Sequence, residues 1–143
     1  MATAGPRRIN ICPWGYWDHA VAGGTIAPQI TTSGLGGAYV TQGTQAQNDE
    51  IGWNVVLAAS TWTITTIYRT NSDAGIATVK LDSTTLGTFD EYGFGVHNNI
   101  STISSVAVAA NGVYTLKYVM ATKNASSSGY YYQIQWIALH RTA

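Results

Sequence analysis

The sequence predicts an all-β protein, an antiparallel β-sandwich (jelly roll) preceded by an extended N-terminal arm. Short runs rich in Thr, Val, Ile and aromatic residues suit a pleated surface, as in Trp-Thr-Ile-Thr-Thr-Ile-Tyr at residues 62–68. Turn signals recur about every 8–12 residues, as in sandwiches and barrels. No window shows sustained helical spacing of apolar residues.

The chain of 143 residues is long enough for one domain with its own core. We divide it into an arm or anchoring segment, residues 1–25, and a sandwich domain, residues 26–143. The first segment holds two of the three prolines and an aromatic group around Trp14, Tyr16 and Trp17. This pattern indicates an extended arm or a first strand that packs through its aromatic side chains.

Strands are predicted between the turn signals. Their expected ranges are 26–31, 37–42, 50–57, 61–69, 75–82, 85–89, 100–108, 112–121 and 129–141. Residues 71–75 are interpreted as a hairpin loop in which Gly75 takes a positive φ. Asn111 and Gly112 form the strongest local signal for a tight hairpin.

Alternation along these strands identifies the side chains expected in the core. A strand places every second side chain on the same face, so the apolar members of an alternating run point together. The inward set from residues 75–82 and 112–121 is Ala77, Val79, Leu81, Tyr114, Leu116, Tyr118 and Met120. Trp53, Trp62 and Tyr68 are also expected in the core.

The last predicted strand, residues 129–141, differs because both of its faces carry apolar side chains. One face has Tyr130, Tyr132, Ile134 and Trp136, and the other has Ile137 and Leu139. A strand with two apolar faces needs cover on both sides. The arm, a loop or a neighbouring subunit would supply the second cover, so a homo-oligomer is predicted.

Composition excludes several functions. Charged residues are 10% of the chain and the formal net charge is zero, so the basic face that nucleic acid requires is missing. No apolar run approaches the ~20 residues of a membrane span, and the N-terminus lacks the apolar core of a signal peptide. One cysteine and three scattered histidines predict no disulfide, metal site or cofactor.

The acidic residues give little support for catalysis. A glycosidase needs two carboxyl groups facing each other, about 5–5.5 or 6.5–9.5 Å apart. The pairs Asp49–Glu50 and Asp90–Glu91 lie in predicted loops, where acidic residues are usually solvated, and Asp82 is interpreted as a turn former. No nucleophile elbow, phosphate loop or dinucleotide motif is present, so we expect no enzyme.

The aromatic side chains are the functional candidates. Five Trp and nine Tyr against two Phe is a set suited to interfaces and to sugar stacking, since Trp and Tyr combine an apolar face with a polar edge. The residues expected to pack on a particle or subunit are Trp14, Tyr16, Trp17, Tyr130, Tyr132 and Trp136. The residues expected to contact a glycan are Tyr39, Tyr92, Asn98, Asn99, Asn124 and Gln133.

Several motifs resemble one family. They are Gly-Ala-Tyr-Val at 37–40, Ile-Gly-Trp-Asn-Val at 51–55, the strand–Asp–turn–Gly pattern of 77–87, Val-Tyr-Thr-Leu at 113–116 and Gln-Trp-Ile-Ala-Leu at 135–139. Through these motifs the chain, chiefly residues 53–141, resembles the jelly-roll carbohydrate-binding modules attached to glycoside hydrolases. The family's Glu-x-Glu calcium motif is missing, and Gln133 and Gln135 stand where the family often has Asn and Asp. Because a neutral amide is a poorer ligand for a hard cation, no structural calcium is expected.

The composition is similar to that of a second group, the bacteriophage virion proteins. Met-initiated, charge-poor β domains rich in Thr, Gly and Ser resemble capsid decoration proteins, head fibres and tail-fibre tips. The resemblance implies a non-enzymatic protein of the virion surface, made in the host cytoplasm without a signal peptide, which packs on capsid or tail proteins and is usually a trimer. The alternative is a lectin-like tip that binds a cell-surface glycan or receptor, and a fragment of an enzyme is the third option.

Overall fold

The computed structural model describes residues 7–13, 19–21, 26–31, 37–42, 46–95 and 97–142. The strands are β1 (Arg8–Ile11), β2 (His19–Val21), β3 (Ile26–Thr31), β4 (Gly37–Gln42), β5 (Glu50–Leu57), β6 (Ser60–Arg69), β7 (Ile76–Leu81), β8 (Thr84–Asp90), β9 (Asn98–Val108), β10 (Gly112–Thr122) and β11 (Ile134–Arg141). Within these ranges no helix is long and apolar enough to span a membrane.

The strands form two antiparallel sheets that pack face to face as a jelly-roll sandwich. Sheet A has the order β3-β4-β11-β6-β9, and β1 also pairs with β11. Sheet B has the order β2-β5-β10-β7-β8. The predicted fold class is therefore confirmed, and the connections cross repeatedly from one sheet to the other.

The core between the sheets contains the side chains that alternation assigned to it. Trp53, Trp62, Tyr118 and Tyr132 are its largest fully buried members. Most of the predicted inward set is buried, namely Ala77, Val79, Leu81, Leu116, Tyr118 and Met120, and Tyr114 is half-buried against the core. Local alternation is sufficient here because each strand presents only one face to the opposite sheet.

Tyr118 links the two sheets. Its hydroxyl, on β10 of sheet B, lies 2.6 Å from Thr66 Oγ1 on β6 of sheet A. Its ring makes edge contacts with Trp53 at 5.9 Å and Phe89 at 6.0 Å between centroids, and Phe89 lies 4.6 Å from Tyr68 of sheet A. Aromatic packing and one buried hydrogen bond therefore hold the layers together.

The last strand corrects the sequence prediction. It begins at Ile134, not at residue 129. Ile134 pairs with Tyr68 and Trp136 with Ile67, so Gln135 is an extra residue, a β-bulge. The bulge turns both Ile134 and Ile137 into the core, which a regular strand would not do. The last strand therefore does not have two apolar faces that both need cover. The homo-oligomer, favoured as a trimer, stays a prediction, but this strand no longer supports it.

Two predicted hairpins are also wrong. Residues 71–75 join β6 of sheet A to β7 of sheet B, and the Asn111-Gly112 turn joins β9 of sheet A to β10 of sheet B. Neither Gly75 nor Gly112 has a positive φ. The two-residue hairpin joins β7 to β8 at Asp82, where φ is 52°. Asp82 Oδ1 accepts a hydrogen bond from Thr115 N at 2.8 Å, which confirms its interpretation as a turn former.

The N-terminal segment contributes strands to both sheets. Ile9 of β1 pairs with Leu139 of β11, and Ala20 of β2 pairs with Ile51 of β5. This matches the alternative of a first strand, and the domain boundary at residue 25 stays a prediction. Residues 14–18 and 22–25, with the aromatic group of the proposed arm, lie outside the described residues.

Gly52 on β5 offers a test of close strand packing. A Cβ at this position would lie 2.9 Å from Leu116 O, a backbone atom that cannot swing away. We expect Gly52→Ala to lower the free energy of unfolding by about 1–3 kcal/mol, measured by urea denaturation. Gly112→Ala is the control in the same strand pair, since its nearest contact would be an ordinary 3.5 Å. Equal stability of the two variants would contradict this account.

The Thr66–Tyr118 hydrogen bond offers a second test. Tyr118→Phe should destabilise the fold by about 1–2 kcal/mol, because it leaves the buried Thr66 hydroxyl without its partner. Combining it with Thr66→Val should cost less than the sum of the single changes. Urea unfolding of the four proteins measures the coupling, and strictly additive effects would show that the two hydroxyls do not interact.

Candidate functional site: a platform of loops at one end of the sandwich

Three loops meet where β6 ends, and together they form what we call the loop platform: residues 70–75, 91–95 and 123–133. Backbone hydrogen bonds join the first two. Asn71 N donates to Glu91 O at 3.1 Å, Gly93 N donates to Asn71 O at 3.2 Å, and Glu91 N donates to Gly75 O at 3.0 Å. The sheet-crossing connections bring these segments together, which no hairpin would do.

Side chains fasten the third loop to the other two. Ser127 Oγ donates to Ala74 O at 2.7 Å, and Asn124 Nδ2 donates to Asp90 Oδ2 at 2.9 Å. Asp90 Oδ1 accepts a further bond from Tyr92 N at 2.8 Å. The platform is thus built from short polar contacts between neutral groups and one carboxylate.

A buried carboxyl group lies beneath the platform. Glu91 is fully buried, and its Oε2 accepts a hydrogen bond from Gln133 N at 2.7 Å. Burial raises the pKa of Glu91 well above its usual value of 4.5, the Gln133 N–H lowers the pKa, and nearby Asp90 raises it. The pKa of the neighbouring Tyr132 is raised by burial first and then by the carboxylates of Asp49 and Glu91.

Several polar atoms under the platform lack hydrogen-bond partners among the described residues. They include Asp73 Oδ1, Glu91 Oε1, Gln133 Oε1 and the Tyr132 hydroxyl. An unpaired buried oxygen is unfavourable, most of all when it carries charge. The arrangement therefore favours the protonated, neutral form of Glu91 in the folded protein.

Aromatic side chains occupy the surface of the platform. The rings of Tyr92 and Phe94 meet edge to face at 5.6 Å, and Phe94 is 85% exposed. Tyr130 is half-buried, with Lys123 Nζ 5.2 Å from its ring centroid. Sequence reasoning missed Phe94, although residues 91–95, Glu-Tyr-Gly-Phe-Gly, alternate aromatic residues and glycines in a loop.

The structure separates the residues predicted to contact a glycan. Tyr92 lies on the platform, and Asn98 and Asn99 are exposed beside it at the start of β9. Asn124 braces Asp90, and Gln133 is only 5% exposed, so its amide lies beneath the surface. The side chain of Tyr39, on β4, lies outside the described part of the chain.

The residues predicted to pack on a particle are also separated. Tyr132 is fully buried in the protein's own core, so its surface is not available to a partner. Tyr130 is half-buried on the platform, and Trp136 is half-buried on the outer face of sheet A. Trp14, Tyr16 and Trp17 belong to the residues that the structure does not describe.

The acidic residues support structure in the described chain. Asp49 Oδ2 accepts a hydrogen bond from Ala46 N at 2.9 Å, and Glu50 forms an ion pair with Lys117 at 3.7 Å. Glu91 is buried, so the pairs 49–50 and 90–91 do not offer two open carboxylates. Among the described residues no group of three His, Cys, Asp or Glu is placed to hold a metal ion.

No family model matches the sequence, and no curated protein is similar to it. Solved structures with a similar fold include a family 36 carbohydrate-binding module of a multidomain xylanase from the hindgut metagenome of Trinervitermes trinervoides. That match has a TM-score of 0.65 at 18% identity and covers 95% of this chain and 98% of the module. This chain has the fold of the carbohydrate-binding modules.

Two further structures share this fold. A family 6 module of Cellvibrio mixtus lichenase 5A, solved with cellotriose, matches with a TM-score of 0.58 at 15% identity over 94% of this chain and 98% of the module. A Paenibacillus xanthan lyase matches with a TM-score of 0.73 at 19% identity over 88% of this chain. The chain corresponds to only 12% of that lyase, so the likeness concerns one domain of it.

The raised pKa of Glu91 predicts a pH-dependent stability. The folded state keeps the Glu91 proton at pH values where the unfolded chain has lost it, so this contribution is complete below pH 4.5 and is lost as the pH rises through the folded pKa. We expect Glu91→Gln, which mimics the protonated form, to gain stability relative to the wild type as the pH rises from 4.5.

Urea unfolding at several pH values measures this difference. Glu50→Gln is the matched control, because Glu50 is partly exposed and contacts Lys117 at 3.7 Å, where removing a carboxylate should change stability by less than about 1 kcal/mol. A gap between Glu91→Gln and the wild type that stays constant with pH would show that Glu91 is charged in the folded protein.

Proposed function

We propose that this protein is a non-catalytic, glycan-binding module that holds a neutral sugar chain on the loop platform. The observation that carries the proposal is the Tyr92–Phe94 ring pair, in which Phe94 is 85% exposed and Tyr92 is half-buried, over loops that hydrogen bonds hold in place. An aromatic pair at a braced surface suits the apolar face of a sugar ring. The fold supports the proposal, because a module with this fold was solved with cellotriose.

Neutral hydrogen bonds would supply the specificity. Asn98 and Asn99 are exposed beside the platform, and a side-chain amide both donates and accepts, as sugar hydroxyls do. With charged residues at 10% of the chain, binding of a neutral glycan by stacking and amides should depend little on salt.

A second proposal concerns where the protein acts. From the composition we propose that it is made in a host cytoplasm and displayed on a phage particle, where it decorates the capsid or forms a fibre tip. The charge-poor composition supports it, and a glycan-binding tip would combine both proposals. A pull-down on stripped capsids and on host cell envelopes, side by side, distinguishes decoration from receptor binding.

The aromatic pair provides the direct test of glycan binding. We expect Phe94→Ala and Tyr92→Ala each to weaken binding by about tenfold, equivalent to about 1.4 kcal/mol. Isothermal titration with cellohexaose, xylohexaose and laminarihexaose gives the affinities. Val113→Ala is the control, since Val113 is 68% exposed at the opposite end of the sandwich and should not alter binding.

The outcomes separate clearly. The proposal is supported if at least one oligosaccharide binds, if Phe94→Ala and Tyr92→Ala weaken that binding, and if Val113→Ala preserves it. Binding that none of the variants alters would place the site elsewhere, and no binding to any neutral glycan would remove it. Turnover of a polysaccharide by the pure protein would contradict the non-catalytic assignment.

A further inference from the structure

Charge is distributed unevenly between the two sheets. None of the residues in the six strands of sheet A is acidic. The acidic residues of the described chain lie in sheet B or in loops: Asp49, Glu50, Asp73, Asp82, Asp90 and Glu91. By contrast, three of the seven Lys and Arg residues, Arg7, Arg8 and Arg141, belong to β1 and β11 or adjoin them.

The pairing of β1 with β11 gathers these basic side chains. Arg8 pairs with His140, and Arg141 N donates a hydrogen bond to Arg7 O at 2.9 Å. Arg8 Nε also donates to Asn10 Oδ1 at 3.1 Å. Both Arg7 and Arg8 are exposed, so their charges act at the surface.

Two depressions adjoin at this place, one at the end of β11 and the other on the outer face of sheet A. One, of about 350 Å³, is lined by Arg7, His140, Arg141 and Thr142. The other, of about 330 Å³, is lined by Arg8, Thr65, Ile67, Trp136, Ala138 and His140. His140 lines both, and we call the two depressions together the basic groove.

The groove combines an apolar wall with a cationic end. Trp136 and Ile67 supply the wall, and Thr65 offers a hydroxyl between them and the arginines. The Gln135 bulge is what places Trp136 outward beside Ile67. A sugar ring has an apolar face that suits an indole, and a guanidinium matches the geometry of a carboxylate or sulfate group.

We propose that the basic groove is a second binding site, one that takes an acidic polysaccharide. A sugar ring lies on Trp136, and its carboxylate or sulfate group contacts Arg8, which lines the same depression. Arg141 pairs with the buried Trp62 and so leaves β11 on the other face, and it adds positive charge at the end of the groove. The inference goes beyond the neutral-glycan site proposed above and does not depend on it. The pair Ile134–Tyr68 lies near the loop platform and Arg141–Trp62 near the basic end, a separation of about 20 Å at the usual strand rise.

Nucleic acid does not fit the groove as well. Three arginines and a histidine make few phosphate contacts, whereas tight nucleic-acid binding uses about 6–10 of them. Each unit of a polysaccharide has a sugar ring that can pack on the apolar wall. The wall, together with the positive charge of the arginines, therefore favours a negatively charged glycan.

The test uses polygalacturonate as the carboxylate probe, dextran sulfate as the sulfate probe and dextran as the neutral control. Affinity electrophoresis and titration calorimetry at low salt measure binding to the full chain. We expect Arg8→Gln with Arg141→Gln to weaken binding of one acidic probe by about tenfold or more. Trp136→Ala should weaken it similarly, and dextran should not bind to this face.

Two control variants make the result specific. Lys80→Gln with Lys117→Gln removes the same charge from sheet B and should leave binding within about twofold. Tyr92→Ala, which tests the loop platform, should leave acidic-glycan binding unchanged. If Trp136→Ala fails to fold, the double arginine variant still decides, since Arg8 is exposed and Arg141 is partly exposed.

Which probe binds identifies the anionic group. Loss of binding in the arginine variant with retention in the lysine variant supports the proposal. Equal loss of binding in the arginine and lysine variants would show that only general charge attraction is at work, and would overturn the proposal. Absence of binding to either acidic probe, equally tight binding of single-stranded DNA, or loss in Tyr92→Ala would also overturn it.

Discussion

The closure of the sandwich around Tyr118 is the constraint on which the rest of the structure depends. Tyr118 contacts Trp53 and Phe89 within its own layer and reaches Thr66 of the opposite layer through a 2.6 Å contact between hydroxyls. Burial raises the pKa of Tyr118 above its usual range, so the phenol stays neutral. Because the two sheets must meet here, the connections that cross between them are forced to the ends of the sandwich.

The loop platform follows from those crossings. Residues 70–75 leave sheet A and enter sheet B, and the segment before β11 returns to sheet A. Loops of this kind hold one another through backbone hydrogen bonds, such as the one from Asn71 N to Glu91 O. Burying Glu91 beneath them is tolerable because a protonated carboxyl avoids the desolvation of a charge. Above it lie the half-buried Tyr92 and the exposed Phe94, both uncharged.

The outer faces of the two sheets have different chemistry although the chain as a whole has no net charge. On sheet B, Lys117 is matched by Glu50 at 3.7 Å. On sheet A, Arg8 stands opposite His140 in the register, and acidic partners are missing from its strands. Overall neutrality therefore conceals a local positive surface, and local potential, more than net charge, governs which ligands a small domain attracts.

The sequence by itself determined the fold class, the bounds of strands such as Ile26–Thr31 and Glu50–Leu57, and the inward position of residues such as Leu116, because alternation and turn chemistry are local. Only the tertiary structure decided which strands pair. The Gln135 bulge, the sheet crossing after Asn71, the burial of Glu91 and the exposure of Phe94 depend on neighbours far along the chain. No local pattern encodes such contacts, since the same alternating run is compatible with several partners and with either register.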